Sequence, residues 1–340
     1  MRKILKGMDI AEIKKRPGIQ TIYRDIRDDL EKVEQRLQHF TQSPNEIISE
    51  ISTYLFQNAG KRIRPALLIL CAKLCGYTGQ EHIVMSSLVE TIHTASLLHD
   101  DIIDNSEFRR GKASVHARWG PNITVLLGDY LYIRTIGTAL QSKHREIVEI
   151  LTEISSRMIE GELNEYAVSW SLDMTEEDYL DIIHKKTASL FSASCQIGGI
   201  LADAPSDRKD LLAEFGANLG MTFQIIDDLL DYTGDERTLG KPVLSDLREG
   251  RITLPLIYTL NNDGAKNRKR IEKLLSGKEL NQTSIEEILD IITSNGALDY
   301  TRNKARQFST HSKALIQKVP PSAYREALLL FPDFILYRKK

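Results

Sequence analysis

Cysteine is scarce in this sequence. Only three occur among 340 residues, at Cys71, Cys75 and Cys195. An odd, scattered set excludes a disulfide framework and points to a reducing compartment, so the expected location is cytoplasmic. Cys71 and Cys75 lie one helical turn apart, but no His/Cys pair nearby completes a zinc site, and all three are expected to be buried core thiols. Glycine and proline are sparse as well, at 20 and 10 residues, below the average combined usage of about 12%. So few chain breakers favour helix. Long apolar runs are missing: the longest, Pro65 to Ala72, falls far short of the ~20 residues a membrane span needs. The N-terminus is basic (Arg2, Lys3, Lys6) but lacks an apolar signal core, and Asp9 and Glu12 argue against a transit peptide. There is no surplus of positive charge either. Lys and Arg number 45 against 47 Asp and Glu, a net charge of −2, which argues against nucleic acid as an obligate partner. With 41% hydrophobic and 27% charged residues, whole-chain disorder is excluded.

Helical periodicity dominates what is present. Leu30, Val33, Leu37 and Phe40 recur at spacings of three and four, as do Ile285, Ile288, Leu289 and Ile292. Thr175 with Asp178 and Ser284 with Glu287 read as capping boxes, and Asn295-Gly296 reads as a helix stop. No run alternates with period two. Breaks are expected near Gly76–Gly79, Asn105–Pro121, Thr233–Pro255 and Asn261–Gly277. None is a Pro- or Ser-rich linker, and no repeat of fixed period appears. The expectation is one all-α domain over residues 1–340, with residues 1–20 mobile and long polar loops at two places.

Those two loops follow two unusual stretches. One runs Leu97-Leu98-His99-Asp100-Asp101-Ile102-Ile103-Asp104; the other runs Gln224-Ile225-Ile226-Asp227-Asp228-Leu229-Leu230-Asp231. Each is a D-D-x-x-D set inside an apolar helical segment. The first and third Asp are four apart, so they project from one face. Like charges at that spacing repel, and unpaired charge among Leu and Ile is costly, so a cation is called for. A single such triplet also suits a solvated helix face; two copies with apolar flanks fit that reading poorly. Oxygen-only ligands favour Mg²⁺ over zinc or copper, and Mg²⁺ held by a few carboxylates completes its shell with water and phosphate. The basic residues agree. Lys61 and Arg64 share a helical face, Arg109-Arg110 follow the first Asp set, Lys185-Lys186-Thr187 lie mid-chain, and Lys241 and Arg251 follow the second set. Together they read as two anion sites flanking metal.

This pattern resembles the trans-isoprenyl diphosphate synthases, the polyprenyl synthetase family. The matching pieces are GKRIRP (60–65), HTASLLHDDIIDNSEFRRG (93–111), GDYLY (128–132), KKTASLF (185–191) and FQIIDDLLDYTGDERTLGKPVLSDLREGRITLP (223–255). They keep family order over about residues 45 to 260. The resemblance implies an all-α bundle of long helices around a deep central cavity, and a homodimer. It implies that Asp100, Asp101, Asp104, Asp227, Asp228 and Asp231 hold about two or three Mg²⁺ ions against an allylic prenyl diphosphate. It implies that Arg109 contacts that diphosphate, that Lys61, Arg64, His93 and Arg110 bind isopentenyl diphosphate, and that Lys186, Thr187, Gln224 and Lys241 line the allylic side. The family usually has Lys where this chain has Arg251, which keeps the charge but changes the geometry.

The implied reaction is a Mg²⁺-dependent head-to-tail condensation. Cationic groups stabilise the leaving diphosphate, an allylic cation forms, and isopentenyl diphosphate attacks it. Thr187 and Gln224 offer oxygen dipoles to the cation, released diphosphate accepts the proton, and an apolar wall keeps water away. His99 reads as a cap or a partner for a neighbouring carboxylate, and the basic end Arg338-Lys339-Lys340 as solvated, with a tail closing over the active site as the alternative reading. In this family the residues four and five before the first Asp limit product length. Here they are Ser96 and Ala95, both small, with Ile92 and Val89 expected deeper as a floor. With ~5.4 Å per helical turn and an isoprene unit of similar length, the expected product has about six to eight isoprene units, suits a quinone side chain, and passes to a membrane enzyme. The alternatives are a medium-chain farnesyl or geranylgeranyl diphosphate synthase, a non-catalytic synthase subunit, and a metal phosphohydrolase built on His99-Asp100.

Overall fold

The structure is a computed structural model that describes residues 18–40, 42–56, 60–109, 111–234, 243–262, 264–275 and 281–338. The longer helices are α1 (Arg27–Phe40), α2 (Glu46–Phe56), α3 (Ile63–Leu74), α4 (Glu81–Ile103), α5 (Pro121–Ala139), α6 (Arg145–Ala167), α7 (Glu176–Ile183), α8 (Ser189–Leu201), α9 (Ser206–Thr233), α10 (Leu254–Asn262), α11 (Gly264–Leu275), α12 (Gln282–Ser294), α13 (Ala297–Gln317) and α14 (Ala323–Leu336). The all-α expectation holds. The one departure among the described residues is a two-residue hairpin, β1 (Phe108–Arg109) and β2 (Lys112–Ala113), with Phe108 opposite Ala113. It lies in an expected loop, and two residues per strand leave no period to read. Most of the stretch expected to be mobile, residues 1–17, lies outside the described residues.

Local chemistry accounts for the helix ends. Thr175 caps α7 in a full capping box: the Asp178 amide donates to Thr175 Oγ1 at 3.1 Å, and the Thr175 amide donates to Asp178 Oδ2 at 3.0 Å. The cap expected at Ser284 falls three residues earlier. Asn281 accepts from the Ser284 amide at 2.9 Å, so α12 starts at Gln282, and Glu287 pairs with Arg270 of α11. Asn is as good a cap as Ser, and the first one met along the chain takes the helix. Gly296 ends α12 in the left-handed region, at φ 80°. Helix α11 occupies a stretch expected to be a break. Its sequence is strongly polar, and Ile271 is its one fully buried side chain among those described. Ile271, Leu274 and Leu275 give it a short apolar stripe at spacings of three and four, and an Arg268–Glu272 pair one turn apart adds support.

Helix α9 is the longest at 28 residues and packs between α8 and α13. Helix α3 lies behind α8, and α4 pairs with α5. Phe215 and Leu219 of α9 meet Phe191 of α8, Leu67 of α3 and Leu315 of α13 in one apolar cluster. Cys71 and Cys195 are buried in it as expected, whereas Cys75 is only half-buried. The packing aligns α4 and α9 so that their C-terminal turns, which carry the two Asp sets, open on the same cavity. Phe215 has no exposed surface. Phe215→Ala is expected to lower the free energy of unfolding by about 3–5 kcal/mol, read from denaturant titration followed by circular dichroism.

Candidate active site

Two chambers adjoin where α4 and α9 end. The polar one is lined by Asp101, Asp104, Asp227 and Asp228, with Arg109, Lys186, Gln224 and Arg251. The apolar one runs past Ser96, His99, Tyr132, Met158, Ile159 and Phe223, with Asp100 and Asp227 at its mouth. Lys186, Thr187, Gln224 and Asp227 line both.

Carboxylates withdrawn from water resist ionisation. Burial pushes Asp100 up to about 7, with Glu162 and Asp104 adding like charge. Burial and then Asp246 push Asp228 up to about 8. Asp101 is raised by burial although Arg109 opposes it. Cationic side chains from distant segments offset this charge. Arg109, in the hairpin, donates to Asp101 at 2.6 Å. Arg251 donates to Asp104 at 2.8 Å and to Asp246 at 3.2 Å, and pairs with Glu249.

Lys186 reaches its place through a local distortion. Residues His184–Ala188 form a π turn between α7 and α8, a feature that recurs at functional sites. Gly161 of α6 lets this turn approach: a Cβ there would lie 2.7 Å from the Lys186 backbone nitrogen. Lys186 Nζ then stands 2.6 Å from Glu162 and 2.5 Å from Glu165. Beside it, the Thr187 hydroxyl donates to Gln224 Oε1 at 2.8 Å, and Gln224 Nε2 donates to Asp228 at 2.8 Å. Tyr179 donates to the other Asp228 oxygen at 2.5 Å. This chain of bonds fixes the amide orientation of Gln224.

The structure brings together Asp100, Asp101, Asp104, Asp227 and Asp228 with Arg109, Lys186, Thr187, Gln224 and Arg251. Asp231 lines neither chamber. It is buried and accepts from the Asp246 amide at 3.1 Å, which ties down the following loop. Arg110 and Lys241 lie outside the described residues. Lys61 and Arg64 separate: Lys61 is exposed with Nζ 5.9 Å from the Phe334 ring centre, while Arg64 is buried 4.5 Å from that of Phe191 and lines the apolar chamber with His93. Between them Arg62 is pinned by Glu34 and by Glu90 at 2.6 Å. Ser96 lines the apolar chamber, whereas Ala95 packs away from it against Leu127 and Leu131 of α5. Val89 and Ile92 are fully buried in the cluster that includes Met158.

The basic C-terminal end departs from expectation at Arg338. Its side chain is 7% exposed, donates to Asp227 at 2.6 Å and to the Phe223 carbonyl at 3.0 Å, and lies 3.9 Å from the Phe223 ring centre. Helix α14 packs on α9 and α3 and delivers the residue there, where the ring face favours a cation. Lys339 and Lys340 lie outside the described residues. Sequence reading also missed Glu162, Glu165, Tyr179, Asp246 and Glu249, none of which stands in a motif of distinctive spacing.

The donor set fits a hard divalent cation that shares its shell with phosphate. All its donors are carboxylate oxygens, several of them buried. Among the described residues no three carboxylates form a ready-made cluster, as suits an ion that keeps water and substrate oxygens.

The family model described as polyprenyl synthetase matches residues 45–292. The chain is 37% identical to octaprenyl diphosphate synthase of Escherichia coli (strain K12), over 84% of this chain and 88% of that one. It is 34% identical to geranylgeranyl diphosphate synthase of Saccharolobus solfataricus, over 90% and 94%. Among solved structures, a polyprenyl synthase from Caulobacter crescentus CB15 complexed with calcium and isoprenyl diphosphate superimposes with a TM-score of 0.91 at 33% identity, covering 96% of this chain and 99% of that one.

With Asp100 and Asp228 both raised, these two carboxyls bind more protons in the folded chain than in the unfolded one from about pH 4 to pH 8. Their contribution to stability therefore falls as pH rises through that window. Thermal unfolding in chelator is expected to show a shallower decline with pH for Asp228→Asn than for wild type. Equal declines would remove Asp228 as the cause.

Proposed function

The chain belongs to the polyprenyl synthetase family and is a prenyltransferase, and we propose that it condenses isopentenyl diphosphate head to tail with an allylic prenyl diphosphate to build a long-chain all-trans-polyprenyl diphosphate. The observation that carries this reading is the junction of the two chambers. A carboxylate and cation cluster suited to diphosphate opens directly onto an apolar space suited to a prenyl tail.

Asp100, Asp101, Asp104, Asp227 and Asp228 would hold Mg²⁺, and the calcium and isoprenyl diphosphate named for the Caulobacter structure support that role. When bound, the metal supplies Lewis-acid stabilisation of charge on the leaving diphosphate. Arg109, Lys186 and Arg251 bind and orient the same group from three sides. Thr187 and Gln224, at the boundary of the chambers, turn oxygen dipoles toward the allylic carbon as the C–O bond breaks. Phe223, Tyr132 and Met158 exclude water from the cation, and isopentenyl diphosphate attacks it. His93, Arg64 and Arg62 line the spaces where that second diphosphate would approach. The released diphosphate takes the proton.

Length follows from the chamber wall. Ser96 is small and leaves the space beneath Asp100 open, so the chain grows past it until Val89 and Ile92 stop it. The product suits a quinone side chain and passes to a membrane enzyme. Among the described residues no helix is long and apolar enough to cross a membrane; together with the reduced thiols, this supports a cytoplasmic enzyme. We read the chain as one domain, because a single apolar cluster joins side chains from Ile22 near one end to Ile335 near the other. We also read it as a homodimer. Leu126 and Ile133 of α5 and Leu140 just after it stand exposed at seven-residue intervals, Ile159, Leu163 and Tyr166 stand exposed on α6, which packs on α5, and a second copy would cover these apolar side chains.

Three measurements test these readings. Purified protein with Mg²⁺, farnesyl diphosphate and labelled isopentenyl diphosphate is expected to yield products of about six to eight isoprene units on chromatography after dephosphorylation. A product of four units or fewer would reject the long-chain reading. Asp100→Ala is expected to cut turnover by about 10³-fold or more, and Ser96→Phe to shorten the product while turnover persists. Leu126→Glu combined with Ile133→Glu is expected to shift the protein from dimer to monomer in sedimentation.

A further inference from the structure

His99 stands immediately before the first Asp of the motif, and the condensation reaction gives it no task. Its ring occupies a notch in α5. A Cβ placed on Gly128 would lie 2.3 Å from His99 Nε2 and 2.7 Å from Cδ2, closer than any real contact. The ring therefore fills the volume a side chain at 128 would take. It is held on three sides: Nε2 is 3.3 Å from the Val125 carbonyl and 3.6 Å from Asp129, and the Tyr132 ring centre lies 6.0 Å away. Val125, Gly128, Asp129 and Tyr132 lie along one face of α5, so the seat is a continuous surface.

The other side of the ring faces the apolar chamber. His99 lines it together with Ser96 and Ile103, which lie one turn before and after it on α4. The depth of the notch thus decides how far this wall stands back, just beneath Asp100. A methyl group at 128 leaves the ring no room against α5, and the open direction is the chamber.

We propose that His99, seated in the Gly128 notch, is a specificity-determining residue that sets the width of the prenyl-tail chamber below the first Asp motif. This rests on the reading of that chamber as the site of a growing prenyl chain. The small residue in GDYLY is then a recess for the histidine of the neighbouring motif.

The test compares wild type, Gly128→Ala, His99→Ala and the double variant, with Mg²⁺, farnesyl diphosphate and labelled isopentenyl diphosphate. Gly128→Ala is expected to shorten the products by about one isoprene unit or more, since the displaced ring is about one helical turn in size. It is also expected to raise KM for farnesyl diphosphate about fivefold, with a smaller change in kcat. His99→Ala is expected to broaden the products toward longer chains. The double variant is expected to match His99→Ala, because the methyl group acts only through the ring. Unchanged products in folded Gly128→Ala, or a double variant as short as Gly128→Ala, would overturn the proposal. Should Gly128→Ala fail to fold by circular dichroism, a His99→Ala enzyme with wild-type products and wild-type KM overturns it alone. A wild type that stops at four units refutes the long-chain reading while the comparison among variants still decides the role of His99. A wild type without prenyl transfer overturns both.

Discussion

Negative charge gathered at the ends of two apolar helices is the constraint on which this molecule depends. Asp101 and Asp228 are almost wholly buried, and an uncompensated buried carboxylate is strongly destabilising. The compensation is not local. Arg109 comes from the hairpin after α4, Lys186 from the π turn, Arg251 from the loop before α10 and Arg338 from beyond α14. Four segments far apart in sequence must therefore converge on one place. That convergence fixes how the helix ends sit, and it also assembles a surface able to grip a diphosphate. Stability and function draw on the same charges, so the cations that quiet the carboxylates stand where a substrate anion would meet them.

Much of this was legible in the sequence, and the reason is spacing. A D-D-x-x-D set in an apolar helix states its own face and its own need for a cation, and two sets state that two helices must meet. Thr187 and Gln224 came from the resemblance to the polyprenyl synthetase family, not from spacing. What spacing cannot state is depth. Lys61 and Arg64 share a helical face on paper, yet Arg64 is buried beneath α8 while Lys61 is exposed near α14. Asp231 repeats the position of Asp104 within its motif, yet the Asp246 backbone amide, in the short helix Ser245–Arg248, claims its side chain. For Asp231 the tertiary partner decides; for Lys61 and Arg64 it is the late start of α3 at Ile63, after a left-handed Arg62, that parts them.

Residues outside any motif were invisible for a related reason. Glu162 and Glu165 sit in an ordinary amphipathic helix; only the close approach at Gly161 turns them toward Lys186. Arg338 reads as the start of a solvated basic end because nothing in its neighbours announces the Phe223 ring, which lies 115 residues earlier in the chain. Both required long-range packing that period and composition do not encode. The same holds for α11, whose short apolar stripe of Ile271, Leu274 and Leu275 lies among many charged residues and whose helix rests on tertiary and charge contacts.

The division into two chambers has a further consequence. Lys186, Thr187 and Gln224 line both, so the proposed reaction places the reacting carbon at the boundary, with charge on one side and an apolar wall on the other. The polar side comes from the C-terminal turns of α4 and α9 together with their loops. The apolar side comes from the middle of α4, from α5 and from α6. A substitution deep in the apolar wall therefore changes how much chain fits without touching the groups that stabilise the leaving diphosphate. On the proposed reading, binding energy collected along the tail would hold the allylic carbon at the boundary, where the charges act. This separation explains how one scaffold serves relatives named for products as different as octaprenyl and geranylgeranyl diphosphate. On that proposal the helix ends would hold the chemistry constant, and what lines the helices a few turns below would decide the product.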